Sequence, residues 1–235
     1  MNRQSIKAIA LISLAFGLSA CHDPYYDPYY YGSYIPSGGY QTIDYPFDPY
    51  ETYRIELITY SGDAGVTVYN EYGELIVFSD EYGTRTDEVI FTADNTNYQI
   101  EIYGNYSSDY DIYIERLPYN ETGLDTSTDA VEFAIDPNAF TGDLYSVLAS
   151  QSFRINHIFD SVSIRPSSDP AWLDVTPTGT VYASPNDDGP MVLVNILETY
   201  SPATNNYAAV RIQVEDYAGK VSVFKYVDVI YRLIN

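Results

Sequence analysis

Tyr53-Arg54-Ile55-Glu56-Leu57, Tyr98-Gln99-Ile100-Glu101-Ile102 and Tyr110-Asp111-Ile112-Tyr113-Ile114 share one pattern. Aromatic or branched residues take every second position, with more polar ones between. A period of two is that of a strand with one buried face and one wet face. Between these runs lie 66–69, 75–78 and 88–92, separated by Ser61-Gly62-Asp63, Asn70-Glu71-Tyr72-Gly73, Asp80-Glu81-Tyr82-Gly83 and Asp94-Asn95. Short strands broken by turn residues every eight to twelve positions predict an all-β sandwich or barrel. Glu-Tyr-Gly recurs at 71–73 and 81–83, where glycine supplies the positive φ of a hairpin turn.

Outward toward the C-terminus, Pro118-Tyr119-Asn120-Glu121-Thr122-Gly123-Leu124-Asp125-Thr126-Ser127-Thr128 is polar and turn-rich. It predicts a linker over 118–128, between a first sandwich at 53–117 and a second at 129–235. The first resembles the bacterial pre-peptidase C-terminal domain, through Val66-Thr67-Val68-Tyr69 and its turn ending in Gly73, Glu88-Val89-Ile90-Phe91, and the closing strands 98–103 and 110–114. In the second, Pro170-Ala171-Trp172-Leu173-Asp174-Val175-Thr176-Pro177-Thr178-Gly179-Thr180-Val181 and Ala209-Val210-Arg211-Ile212-Gln213-Val214-Glu215-Asp216-Tyr217-Ala218-Gly219 resemble the immunoglobulin-like or dystroglycan-type cadherin-like module of bacterial surface proteins. That resemblance implies a sandwich with Trp172, the only tryptophan, as a core plug between its sheets.

Toward the N-terminus, Met1-Asn2-Arg3-Gln4-Ser5-Ile6-Lys7 carries two positive charges and no acid, and 8–17 is almost wholly apolar. That order is a secretory signal, too short to remain as a membrane-spanning helix. Leu18-Ser19-Ala20-Cys21 resembles the lipobox of bacterial lipoproteins, which implies cleavage after residue 20 and a lipid-modified Cys21, the only cysteine. The acyl chains would anchor the protein to a membrane. By the sorting rule of Gram-negative lipoproteins, His22 directly after the cysteine implies the outer membrane. From there to residue 52, prolines at 24, 28, 36, 46 and 49 and a repeated Asp-Pro-Tyr-Tyr predict a semi-extended tether over 21–52.

Without Arg3 and Lys7 the chain keeps nine basic residues against thirty-three acidic ones, a formal charge of −24. Such a surface repels phosphate backbones, so nucleic acid is excluded as a partner class. Only His22 and His157 are available as neutral bases, and no nucleophile elbow, zinc-spaced cluster or phosphate loop is present in the sequence. Calcium is the one cofactor with a physical case, because hard cations need converging carboxylates. Its candidate ligands are Asp125 and Asp129 at the linker, Asp187 and Asp188 in Asn186-Asp187-Asp188-Gly189, and Asp216 after Glu215. The reading is a non-enzymatic, lipid-anchored envelope protein whose sandwiches meet a protein partner; the alternative is a glycan or cell-wall binder using tyrosine faces.

Overall fold

The computed structural model describes residues 29–118, 121–159, 161–168, 170–182, 189–199, 205–216 and 218–234. The signal segment, Cys21, Asp187 and Asp188 lie outside the described residues. The described chain is all β, with strands numbered here in chain order and one 3-10 turn at Pro137–Ala139. No helix among the described residues is long and apolar enough to cross a membrane.

In the first lobe, β1 (Tyr29–Ile35), β3 (Thr52–Ser61), β6 (Thr86–Thr92) and β8 (Ser108–Arg116) form one layer. A second layer, β2 (Tyr40–Asp44), β4 (Ala64–Asn70), β5 (Leu75–Ser79) and β7 (Tyr98–Gly104), covers it. The predicted alternation is realised: Tyr53, Ile55 and Leu57 meet Ile100, Ile102, Tyr110, Ile112 and Ile114 in a single core.

The tether is shorter than the composition implied. β1 pairs antiparallel with β8, and β2 with β7. Ile35, Ile43 and Phe47 are buried in the first core, and Phe47 makes edge contacts with Tyr53 and Phe91 at 4.8 and 5.1 Å between ring centroids. Tyrosine favours strands, and the prolines at 36 and 46 fall outside the strands on either side of β2, where they interrupt nothing.

In the second lobe, β10 (Ala130–Ile135), β12 (Ser161–Pro166), β14 (Gly179–Tyr182), β16 (Asn205–Glu215) and β17 (Val221–Leu233) form one layer. β9 (Leu124–Thr126), β11 (Val147–His157), β13 (Leu173–Thr176) and β15 (Met191–Leu197) form the other. β9 lies inside the stretch expected to be a linker, pairs with β11, and buries Leu124 in the second core. One leucine in a polar run suffices to dock a three-residue strand there. Trp172 is half-buried on the turn before β13, edge-on to Tyr231 at 5.0 Å, and packs against the second core.

The lobes are not merely in tandem. β6 and β17 pair in parallel, Val221 with Ile90 and Ser222 with Phe91, so one sheet runs β1-β8-β3-β6-β17-β16-β12-β14 through both lobes. Paired residues point to the same face of a sheet. Phe91 belongs to the first core, whereas Ile90 packs against the second. The two covering layers therefore lie on opposite faces of the shared sheet.

Several contacts hold this seam. Phe78 N–H donates to Gly219 O at 2.9 Å, Phe224 N–H to Thr92 Oγ1 at 3.2 Å, and Lys220 pairs with Glu81. Gly219 ends the β16–β17 hairpin at φ +77°, and a Cβ there would meet the Phe78 ring at 2.7 Å. Gly219→Ala is expected to lower stability by about 1–2 kcal/mol, the cost of forcing an L-residue into that region. The check is urea denaturation, with a lower midpoint at unchanged slope.

A second fixed point is the buried Glu198, whose carboxylate accepts from Thr141 N–H at 3.0 Å, Thr141 Oγ1 at 3.1 Å, Ser146 Oγ at 3.2 Å and Gly142 N–H. Those donors, the Thr141 N–H foremost, hold its pKa below the ordinary carboxylate value. Its stabilisation is therefore complete above the unfolded-state pKa and is lost as pH falls through the folded one. Thermal melts should show Glu198→Gln less stable than the parent at pH 7, with the gap narrowing as the pH is lowered below 4.

Candidate functional site

β17 is thirteen residues long, and its edge away from β16 is shared: β6 takes residues 221 and 222, and β10 takes 228–233. Between them, residues 223–227 face a window in the sheet. A cleft of about 670 Å³ opens there, within the size range of small-molecule sites. Its lining includes both parities of β17, with Val223 and Lys225 from the core-facing set and Phe224, Tyr226 and Asp228 from the open face. From the first lobe come Tyr50 and Thr52.

Lys225 occupies a position that should be apolar. It lies opposite Ile212 and between Val223 and Val227, all of them buried. Its side chain is only 12% exposed, and Nζ meets Asp125 Oδ1 at 3.2 Å and Asp129 Oδ1 at 2.7 Å. Burial pulls its pKa down to about 8. At that value the amine still carries its charge near neutrality, beside the two carboxylates. The sequence-derived pairing of Asp125 and Asp129 is thus real in space, but an ammonium fills the place between them.

Asp216, the third calcium candidate described, is remote from that pair. Its Oδ1 accepts from Lys220 N–H at 2.7 Å and Val221 N–H at 3.1 Å, closing the β16–β17 hairpin as an aspartate turn. Among the described residues no three His, Cys, Asp or Glu side chains are placed to hold a metal ion. His157 closes β11 with both ring nitrogens buried and without hydrogen-bond partners.

The open face of the cleft is aromatic. Tyr50 and Tyr226 meet edge to face at 6.0 Å and 81°, forming a corner of two ring walls. Tyr207 donates its hydroxyl to Asp228 Oδ1 at 2.8 Å, and that bond holds the Tyr207 pKa above the ordinary tyrosine value. Arg211 lies over the Phe224 ring at 4.2 Å from its centroid. Tyr50 sits at φ +67°, a conformation costing a non-glycine residue about 1–2 kcal/mol. It is held there by Tyr50 N–H to Ala93 O at 2.6 Å and Ala93 N–H to Glu51 O at 2.9 Å. Arg116 adds ion pairs to Asp48 at 3.7 Å and Glu51 at 2.5 Å.

Sequence reasoning passed over the cleft. Lys225 left a signal, a lysine in phase with Val223, Val227 and Val229, whereas Tyr50 resembled one more tether tyrosine.

No protein-family model matches the chain, and no curated protein matches it. Among solved structures, a Bacillus licheniformis lipase, BlEst2 in propeptide form, aligns at 9% identity and a TM-score of 0.32, over 91% of this chain and 42% of that one. A Ruminococcus gnavus β-glucuronidase in complex with uronic isofagomine aligns at 9% and 0.23, over 85% and 34%. This chain spans well under half of either structure, and neither likeness bears on its fold or activity.

After residue 20 the chain contains only two lysines, Lys220 and Lys225, which makes the buried amine directly observable. Reductive ¹³C-methylation should give a Lys225 NMR signal titrating near pH 8, absent from Lys225→Arg. The unfolded chain keeps its proton up to about 10.5, so between those values the native state gains stability from this group as pH rises. Below pH 8 its burial penalty is fully present. A midpoint near 10.5 would contradict the burial.

Proposed function

We propose that the chain is a non-catalytic, lipid-anchored protein of the bacterial envelope whose β lobes meet a protein partner. The lipobox-like Leu18-Ser19-Ala20-Cys21 supports the anchor. What supports the partner is the shared sheet, which is covered on opposite faces in its two halves and so leaves an open sheet face on each lobe. On the first lobe that face carries Tyr34, Tyr60, Asp109 and Asp111, with Tyr60 donating to Asp111 Oδ2 at 2.6 Å. On the second it carries Tyr207, Tyr226 and Asp228. Tyrosine combines a large rigid ring with a polar tip and is enriched where proteins meet. Carboxylates around it, on a chain of such negative charge, steer a basic partner.

The same tyrosines support a second reading, a glycan or cell-wall binder, because a ring face also stacks on a sugar. Cross-linking the tagged lipoprotein in living cells, followed by purification, separates the two. The expected outcome is a stoichiometric protein partner, with little retention on isolated cell-wall glycan. Glycan retention without a protein would favour the second reading. Cys21→Ser is expected to move the protein out of the membrane fraction, and its retention there would refute the lipid anchor.

A further inference from the structure

We infer that the seam cleft is a recognition site for a cationic side chain, an arginine above all, presented by a basic protein segment. This rests on the protein-partner reading and gives it a site. The Tyr50–Tyr226 corner offers two perpendicular ring walls, at 81°. Ring faces arranged in this way attract a cation through their quadrupoles. Asp228 lies two residues along the same face of β17 as Tyr226, and Tyr207 orients it through the 2.8 Å hydrogen bond without neutralising it. No cation pairs with Asp228 among the described residues. A planar guanidinium can stack on a tyrosine face while presenting its fork to that carboxylate, which an ammonium does less well.

Beside the cleft, on the same open face, one arrangement of this kind exists already: Arg211, which is not among the lining residues, lies over the Phe224 ring at 4.2 Å from its centroid. Lys225 does not repel an incoming cation strongly, because Asp125 and Asp129 both neutralise it. Tyr50 is 66% exposed, yet its backbone is strained and pinned on both sides by the pairing with Ala93. Beyond its edge contact with Tyr226, an exposed ring gains little for the fold from such a conformation. It gains a fixed orientation at the mouth of the cleft, and preorganised walls lower the ordering cost of binding.

The test uses the detergent-solubilised lipoprotein and a hexa-arginine peptide in isothermal titration. The expected result is one-site binding that Tyr50→Gly and Asp228→Asn each weaken about tenfold. Glycine accepts the positive φ at residue 50, so that variant should keep its melting temperature, and Asp228→Asn is isosteric. Asp143→Asn, at an exposed loop aspartate before β11 and outside both open sheet faces, should bind as the parent does. Equal weakening by Asp143→Asn would reduce the effect to diffuse charge and overturn the site, as would unchanged binding in both cleft variants. Binding of neutral chitohexaose with no binding of hexa-arginine would overturn it in favour of a sugar. In cells, a partner that still cross-links to the Tyr50→Gly protein would overturn the site while leaving the partner reading intact. Absence of any partner from the parent protein would instead defeat that reading, with the peptide titration still deciding the site.

Discussion

Two residues of parallel pairing, Val221 on Ile90 and Ser222 on Phe91, set the relation between everything on either side of them. A strand pair transmits facing as well as direction: once Ile90 and Val221 share a face, so do Phe91, Phe224 and Tyr226. Phe91 must be buried by the first lobe's covering layer, so the open face of the second lobe lies on that same side. The corner between the covering layer of one lobe and the bare sheet of the other is where the cleft forms. A slip of one residue in this register would flip the second lobe relative to the first, take Ile90 out of the second core and destroy both the stagger and the cleft.

So short a pairing needs reinforcement, and ion pairs beside it supply part of that. The only two lysines after residue 20 flank the beginning of β17: Lys220 reaches Glu81 in the first lobe, and Lys225 reaches Asp125 and Asp129 in the second. In a chain with such an acidic excess, a cation among carboxylates relieves repulsion as well as forming a pair. Lys225 is the costlier of the two, since it replaces an apolar residue on the core-facing parity and carries a desolvation penalty that its partners must offset. Its retention beside a window in the sheet is easier to understand as a charge that positions acidic groups around the cleft than as a stabilising element.

The regular part of this architecture was legible because alternation is a local property. Ile55 and Ile112 announce their buried faces within five residues of sequence, whichever strands they come to meet. The seam was half legible: Val89-Ile90-Phe91 is an unbroken apolar run inside an otherwise alternating strand, the mark of a strand buried on both faces. Nothing local named β17 as its neighbour, because that pairing joins residues separated by the end of the first lobe and most of the second. The expected tether failed for a different reason. Proline and tyrosine content describes a composition, whereas strand formation by residues 29–44 depends on the free edges of β8 and β7, which the segment itself does not encode. Leu124 was likewise outvoted by its polar neighbours, although one buried leucine opposite the end of β11 decides where β9 goes.

The cleft was hidden by the same limit in a sharper form. It is built from Tyr50 at a loop, Tyr226 and Asp228 on the last strand, and Tyr207 on the strand before it, and only the register of β16 on β17 brings the last three together. Tyr50 joins them because Ala93, which follows β6, holds the backbone of residue 50 in place. The ring therefore inherits its position from the strand that makes the seam. Any motion that opened the pairing of β6 with β17 would also separate the two walls of the aromatic corner, so the integrity of the shared sheet and the shape of the cleft are one mechanical property.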